Sequence, residues 1–99
     1  MRVRYRQLAL EDIDAIYKWI AAHGIVTAAG VEASIFEAIT LLGRFPGFGS
    51  MTDEPDTYRW PMGDYRYTIF YRIAWEDDAI EVLRVVDSRR VRNLKHIPR

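Results

Sequence analysis

The residues that could take part in binding or chemistry here are the arginines. The chain is neutral overall, but its positive and negative charges lie in different segments. Residues 84–99 carry six basic side chains against a single acid, Asp87. The acids cluster elsewhere, around Asp12, around Glu54 and around Asp77. A basic end of this kind predicts either a binding surface or a solvated tail, and the sequence leaves both open.

Nucleophilic, redox and metal chemistry have little support in the residue types present. The chain has no cysteine, which excludes disulfides and thiolate chemistry. Its two histidines, His23 and His96, are not part of a His-x-Glu or His-x-x-x-His pattern. We interpret His23, beside Gly24, as structural and His96 as a polar surface residue. We therefore expect no metal site and no cofactor.

Length and hydropathy predict one small domain. The 99 residues are 49% hydrophobic and 28% charged, as in ordinary globular chains. A chain of this size buries only roughly 60–65% of its unfolded surface, so it would gain stability from a partner. No apolar run of signal-peptide length follows the N-terminal MRVRYRQ, and no stretch reaches the roughly 18 apolar residues of a membrane span. Together with the lack of cysteine, this predicts a cytoplasmic protein without membrane contact.

The first half of the chain predicts a strand and two helices. In residues 2–7, arginine alternates with Val3 and Tyr5. This period of two predicts a strand, which we interpret as an edge strand. At an edge, arginines can also serve only to discourage pairing with other chains. From Leu10 to His23 four apolar residues recur at helical spacing, namely Ile13, Ile16, Tyr17 and Ile20. The acids of this segment are expected at the helix N-terminus, namely Glu11, Asp12 and Asp14. Gly24 predicts the stop.

A second helix is predicted from Thr27, a possible N-cap, to about Arg44, where Pro46 ends it. An irregular stretch follows at residues 46–55. Three segments dense in aromatic and β-branched residues then predict an antiparallel meander, at 57–60, 65–74 and 79–86. The predicted fold is α+β, in the order β-α-α-β-β-β, with an antiparallel two-helix hairpin packed on a small, mainly antiparallel sheet. A short helix or ordered tail is possible at residues 90–96.

Motifs along almost the whole chain support a more specific interpretation. In order they are Asp12-Ile13-x-x-Ile16-Tyr17-x-x-Ile20, Leu42-Gly43-Arg44-Phe45-Pro46-x-x-Gly49, Tyr65 leading into Ile69-Phe70-Tyr71-Arg72-Ile73, and Ile80-Glu81-Val82-Leu83-Arg84-Val85-Val86. The pattern resembles the RelE/ParE superfamily, and within it the ParE branch. The resemblance implies a toxin that is neutralised by a small antitoxin. ParE-like toxins act on DNA gyrase, whereas RelE-like toxins cut messenger RNA in the ribosome.

The residues that RelE-type enzymes use for RNA cleavage are poorly represented. Metal-free cleavage needs an activating group, positive charge at the phosphorane and an acid for the leaving oxygen. RelE-type toxins use sheet lysines and arginines with a C-terminal tyrosine, but no tyrosine follows Tyr71 here and the predicted sheet has no lysine. The sheet arginine of those toxins corresponds either to Arg66 or, in the bulge-free alignment that we prefer, to Thr68. The histidine that ParE-like toxins commonly carry after the last strand is replaced by Asp87.

We therefore expect a non-enzymatic, ParE-like toxin that binds DNA gyrase and forms a hetero-oligomer with its cognate antitoxin, without itself binding DNA. The residues expected to bind the antitoxin are Val3, Arg4, Tyr5, Arg6, Tyr17 and Trp19. Trp19 lies off the apolar stripe, so it either faces outward or laps over a neighbouring strand. The residues expected to bind the target are Arg59, Arg66, Arg89, Arg90 and Arg92; no catalytic residue is assigned.

Two other functions stay open. A ribosome-dependent endonuclease would use Arg59, Arg66, Arg89 and Arg90 as its cationic set, and an inactive toxin-like domain would act only as an interaction module. For Arg59, Arg66, Arg72 and Arg84 the alternative to a binding role is a place on the solvated rim of the sheet.

Overall fold

Two helices cover one face of a five-stranded sheet in the computed structural model, which describes residues 1–24, 27–63 and 66–93. The helices are α1 (Gln7–His23) and α2 (Ala28–Arg44), and the strands are β1 (Arg2–Tyr5), β2 (Ser50–Met51), β3 (Thr57–Pro61), β4 (Tyr67–Ala74) and β5 (Ala79–Asp87). The spatial order is β1-β5-β4-β3-β2, and only the β1–β5 pair is parallel. The predicted α+β fold and its element order are confirmed. Neither helix is long and apolar enough to cross a membrane.

Helix α1 begins earlier than the sequence predicted. Arg6 holds the N-cap position with extended backbone, so the helix starts at Gln7 and its first turn has no acid. The expectation that Glu11, Asp12 and Asp14 mark the helix N-terminus was therefore wrong. The predicted stop is confirmed, because Gly24 adopts a left-handed conformation with φ of 64° and donates its N–H to the Ile20 carbonyl at 2.8 Å.

Helix α2 and the segment after it follow the prediction with one correction. Thr27 is the N-cap residue, although its side chain makes no capping hydrogen bond, and the helix ends at Arg44. The stretch predicted as irregular contains a 3₁₀ turn at Pro46–Phe48 and the two-residue strand β2, which pairs with Tyr58 and Arg59. A strand of two residues is too short to show a period in the sequence.

The core lies between the helices and the sheet. Its largest contributors are Ile13 and Ile20 of α1, Val31, Ile35, Ile39 and Leu42 of α2, and Ile69, Tyr71, Ile73, Ile80, Val82 and Val85 of β4 and β5. Each fully buried aliphatic side chain contributes about 1.5–3 kcal/mol, so both layers depend on this contact. Tyr17, expected on the apolar stripe of α1, lies at its margin and is 37% exposed.

The loop after α2 is fastened by one buried hydroxyl. Tyr71 donates its hydroxyl to the Pro46 carbonyl at 2.6 Å and accepts the Gly49 N–H at 2.9 Å. The hydroxyl lies so close to Gly49 that a Cβ at this position would collide with it. A glycine is required here by this close approach, which sets the position of the Phe45 and Phe48 rings stacked in the loop.

The ends of the last two strands differ slightly from the prediction. Strand β4 is described from Tyr67, and Tyr65 lies outside the described residues. Strand β5 continues to Asp87 and leads into a 3₁₀ helix at Ser88–Asn93. This helix covers the first part of the ordered tail predicted at 90–96, of which residues 94–96, with His96, lie outside the described residues.

Candidate functional site

A single carboxylate joins the first helix to the last strand. Asp12 accepts hydrogen bonds from Arg84, with Nε to Oδ2 at 2.7 Å and Nη2 to Oδ1 at 2.9 Å. Its Oδ2 also accepts the backbone N–H of Val85 at 2.9 Å. The hydrogen bonds to Asp12 raise the pKa of Arg84. Sequence reasoning missed this pair, because the two residues lie 72 positions apart and no local spacing links them.

A β-bulge prepares the strand for this contact. Phe70 pairs with Arg84 and Tyr71 with Val82, so Leu83 is an extra residue on β5. An extra residue shifts the direction in which the following peptide groups point. Beyond the bulge the Val85 N–H points away from β4 and reaches Asp12. The bulge therefore places a polar group of the strand in front of α1.

A cleft of about 590 Å³ opens between the last turns of α1 and the C-terminal half of β5. Its apolar lining includes Ile16, Ile20, Val31 and Val85. Polar and aromatic side chains line it as well, namely Asp12, Trp19, His23, Arg66, Tyr67, Arg84, Asp87, Arg89 and Arg90. Burial, with Asp87 as a second cause, raises the pKa of Tyr67 above its ordinary value. The cleft thus combines an apolar lining with several cations.

The two aromatic rings at the end of α1 form one unit. The rings of Trp19 and His23 stack with centroids 4.1 Å apart and planes 17° apart. His23 Nδ1 also lies 2.7 Å from the Trp19 carbonyl oxygen. Trp19 is 55% exposed, in agreement with its place off the apolar stripe. An exposed aromatic ring held in place by a stacking partner is well suited to contact another molecule.

Three of the arginines predicted to bind the target meet at this cleft. Arg89 is fixed by Asp87, which binds its backbone N–H and its guanidinium, both at 2.9 Å. These hydrogen bonds lower the pKa of Asp87 to about 2. The side chains of Arg66 and Arg90 are exposed and have no hydrogen-bonding or ion-pair partner in the described part of the chain. Within the described residues, the cleft therefore has two cations without an ion-pair partner, Arg66 and Arg90, beside two that are paired, Arg84 and Arg89.

The other predicted target residues are not part of this group. Arg59 is exposed on β3, where it pairs with Phe70, and does not line the cleft. The side chain of Arg92 lies outside the described residues. Two sheet arginines considered as possible rim cations are paired: Arg84 with Asp12, and Arg72 with Glu81 at 2.9 Å and Glu76 at 3.2 Å.

The arginines of β1 already contact acids of the same chain. Arg4 lies 3.1 Å from an Asp77 oxygen and 3.6 Å from Glu81, and Arg6 lies 3.8 Å from Glu81. Arg2 donates to the Asp77 carbonyl at 3.1 Å. Arg4 Nε is buried without a hydrogen-bonding partner. Among the described residues, Arg4 Nε is thus a buried side-chain donor without a partner, while Arg4 and the neighbouring Arg6 lie beside acids of the same chain.

The fold is shared with toxins of toxin–antitoxin systems. One match is the "Chromosomal ParDE TA system from P. aeruginosa", with a TM-score of 0.74 and 20% identity over 88% of this chain and 95% of that one. The intact E. coli RelBE complex matches with a TM-score of 0.64 and 14% identity over 85% and 92% of the two chains. The RelBE2 complex of Mycobacterium tuberculosis matches with a TM-score of 0.63 and 23% identity over 87% and 88%.

The amino-acid sequence identifies one family among the toxins that share this fold. Residues 3–92 match the family model described as "ParE toxin of type II toxin-antitoxin system, parDE". The chain belongs to this family, which confirms the resemblance found in its motifs. No curated protein sequence matches it at a significant level.

Proposed function

We propose that this chain inhibits DNA gyrase by binding it, without enzymatic activity, and that its cognate antitoxin holds it inactive in a hetero-oligomer. Membership in the ParE toxin family supports the toxin role. The choice of gyrase over messenger RNA rests on the residues that a cleavage site would need.

The observation that carries this choice is the pairing and dispersal of the sheet cations. Arg72 and Arg84 are held by carboxylates, which offset the positive charge that a phosphorane would require. The side chains of Arg59 and Arg66 have no ion-pair partner among the described residues. However, the register Pro61 to Thr68 sets these two arginines about four residues apart along the direction of the strands. At about 3.3 Å per residue their backbones are separated by roughly 13 Å along the strands. Such a spacing does not favour two cations acting on one phosphate.

Thr68 supports the same conclusion. In the alignment without a bulge it takes the place of the RelE-type sheet arginine. Its side chain is 3% exposed, and its hydroxyl lies 2.8 Å from the hydroxyl of Ser88. A buried hydroxyl that is engaged in this way offers a substrate neither charge nor an accessible donor.

The antitoxin is proposed to bind at β1 and along α1, through Val3, Arg4, Tyr5, Arg6, Tyr17 and Trp19. Arg2 donates its N–H to the Asp78 carbonyl, just before β5, at 3.0 Å, and Arg6 donates to the Val82 carbonyl of β5 at 2.9 Å. By strand alternation the peptide groups of Val3 and Tyr5 therefore point to the other side of β1. An extended peptide can pair with such groups. The Val3 side chain packs against Gly43, where a Cβ added to Gly43 would lie 2.9 Å from Val3 Cγ2.

A ribosome-dependent endonuclease is the second candidate. Its support is the meeting of Arg66, Arg89 and Arg90 around one cleft, which provides cations although Arg59 lies elsewhere. An inactive interaction module is a third candidate, supported only by the balanced charges of the sheet.

In the test, the chain is co-expressed with the short reading frame beside its gene. The purified toxin is then assayed against DNA gyrase and against messenger RNA. We expect a stable complex with that frame's product, inhibition of DNA supercoiling by gyrase, and no cutting of messenger RNA in a translating extract. RNA fragments with unaffected gyrase would support the endonuclease instead. Unaltered growth on expression without any antitoxin would favour the inactive module.

A further inference from the structure

Strand β2 lies at the edge of the sheet opposite β1, and it carries an exposed apolar side chain. Among the described strands it pairs only with β3, through Ser50 with Arg59 and Met51 with Tyr58. Both residues of β2 are exposed, and the exposed fraction of Met51 is 78%. Edge strands of soluble proteins are commonly protected by charged side chains, proline or a bulge. A methionine here leaves an edge that favours contact with another chain.

The backbone of Met51 faces away from the sheet. The next residue, Thr52, donates its N–H to the Thr57 carbonyl of β3 at 3.0 Å. The N–H and C=O of one strand residue point to the same side, and adjacent residues point to opposite sides. The N–H and C=O of Met51 therefore both point away from β3. A donor and an acceptor on one residue suit a second copy related by a two-fold axis, because each Met51 can donate to the carbonyl of the other.

The charges before and after β2 have opposite signs. Asp53 and Glu54 follow the strand, whereas Arg44 precedes it at the end of α2, with its guanidinium 5.7 Å from the centre of the Phe45 ring. Within the described part of the chain, these three charged side chains form no ion pair. When two β2 strands pair antiparallel, the segment after β2 in one copy runs beside the segment before β2 in the other. The acids of each copy thus approach Arg44 of the other.

Aromatic rings beside β2 supply an ordered apolar surface. The Phe48 ring stacks on Phe45 with centroids 5.0 Å apart and lies 6.3 Å from the Trp60 ring. Phe45 and Phe48 are 45% and 52% exposed. The Tyr71 hydroxyl fixes the loop that carries both rings. Because the rings are already ordered, contact with another chain costs them little conformational entropy.

We propose that two copies of this chain pair through β2, antiparallel and about a two-fold axis at Met51, so that their two five-stranded sheets become continuous. Each Met51 N–H donates to the Met51 carbonyl of the other copy, and Asp53 and Glu54 of each copy lie on the side of Arg44 of the other. A strand of two residues contributes few hydrogen bonds, so the pairing is weak and depends on concentration. This inference goes beyond the proposed function, because it does not depend on the target and leaves β1 and α1 free.

The first test exchanges the charges at the predicted contact. Arg44→Glu and Glu54→Arg are prepared separately, and self-association of the purified toxin is measured by sedimentation velocity at increasing concentration. We expect the unaltered chain to pass from monomer to dimer. Each variant alone brings like charges together at both contacts, and its dissociation constant should rise by about tenfold or more. An equimolar mixture of the two variants restores opposite charges at both contacts and should associate within about threefold of the unaltered chain.

The control for this test is Asp14→Arg, which reverses an exposed acid on α1 and should associate like the unaltered chain. A chain that stays monomeric up to its solubility limit overturns the proposal. A mixture of the two variants that associates no better than either variant alone overturns it as well.

The second test observes the strand pairing on unaltered protein. Amide hydrogen exchange at Met51 is compared between dilute toxin and toxin at the concentration where it sediments as a dimer. The Thr52 amide, already bonded to Thr57, is the internal reference. We expect exchange at Met51 to slow by about fivefold or more and exchange at Thr52 to stay the same. Protection of Met51 that appears only when the antitoxin is added would assign this edge to the antitoxin and overturn the pairing of two copies.

Discussion

Asp12 on α1 and Arg84 on β5 form a bidentate ion pair, and the same carboxylate accepts the Val85 N–H, so three hydrogen bonds join the first helix to the last strand. The Asp12 side chain is 16% exposed and that of Arg84 is 24% exposed. Charge-assisted, bidentate and partly buried pairs of this kind are stronger than exposed ion pairs.

Replacing Asp12 should therefore destabilise the fold. We expect Asp12→Ala to lower the free energy of unfolding by about 2–3 kcal/mol, because it leaves a guanidinium and a backbone N–H without their partner. Asp14→Ala is the matched control, since among the described residues Asp14 pairs only with Lys18 and both side chains are mostly exposed; its effect should be within about 0.5 kcal/mol. Urea denaturation measures both. Equal effects of the two variants would show that the Asp12 contact contributes nothing specific.

The glycine under Tyr71 should not tolerate a methyl group. In Gly49→Ala the added Cβ would collide with the Tyr71 hydroxyl and lie 2.9 Å from the Arg59 carbonyl oxygen. We expect a loss of about 1–3 kcal/mol, the usual cost of overpacking. Gly47→Ala is the control two residues away, because nothing lies within 4 Å of its added Cβ. In thermal unfolding, only Gly49→Ala should have a melting temperature clearly below that of the unaltered chain.

The Asp87–Arg89 contact predicts a pH dependence with a defined sign. The pKa of Asp87 is lowered from 3.8 to about 2 by hydrogen bonds from Arg89. A lowered folded-state pKa means that the stabilisation is complete above the unfolded value and is lost as pH falls through the folded value. We expect Asp87→Asn to be less stable than the unaltered chain at pH 7, and the difference to vanish between about pH 4 and pH 2. A difference that stays constant down to pH 2 would show that the charge of Asp87 is not involved.

Trp19 should matter for binding much more than for folding. Its ring is 55% exposed, so Trp19→Ala should change the free energy of unfolding by less than about 1 kcal/mol. If it is an anchor for the antitoxin, the variant should bind the antitoxin roughly 30-fold more weakly. Phe48→Ala, another exposed aromatic residue but beside β2 at the opposite edge of the sheet, should bind normally. Equal affinities of all three proteins would remove Trp19 from the antitoxin contact.

The sequence predicted the elements of this fold better than their contacts. The spacing of Ile13, Ile16 and Ile20 and the stop at Gly24 gave α1 correctly, because both are local signals. The start of α1 was predicted too late in the chain, because Asp12 pairs with Arg84 and does not mark the helix N-terminus. That contact depends on the bulge at Leu83, which leaves no trace in local spacing.

The candidate site was predicted only in pieces. The place of Trp19 off the apolar stripe left two positions open, facing outward or lapping over a neighbouring strand, and the structure shows it 55% exposed. However, Trp19 lines the same cleft as Arg66, Arg89 and Arg90 only because of how α1 packs across β5. This packing depends on contacts between the helix layer and the sheet, which local sequence does not predict. The role of Asp87 was also unforeseen: where ParE-like toxins commonly have a histidine, this residue holds Arg89 at the cleft.

The proposed inhibition of gyrase by binding can be measured with the purified chain in a supercoiling reaction. Relaxed plasmid, ATP and gyrase are incubated with increasing toxin, and the same toxin is added to a translating extract that contains a reporter messenger RNA. We expect supercoiling to fall as toxin is added, prior addition of the antitoxin to restore it, and the messenger RNA to stay intact. Full supercoiling at every toxin concentration, together with cleaved messenger RNA, would contradict it.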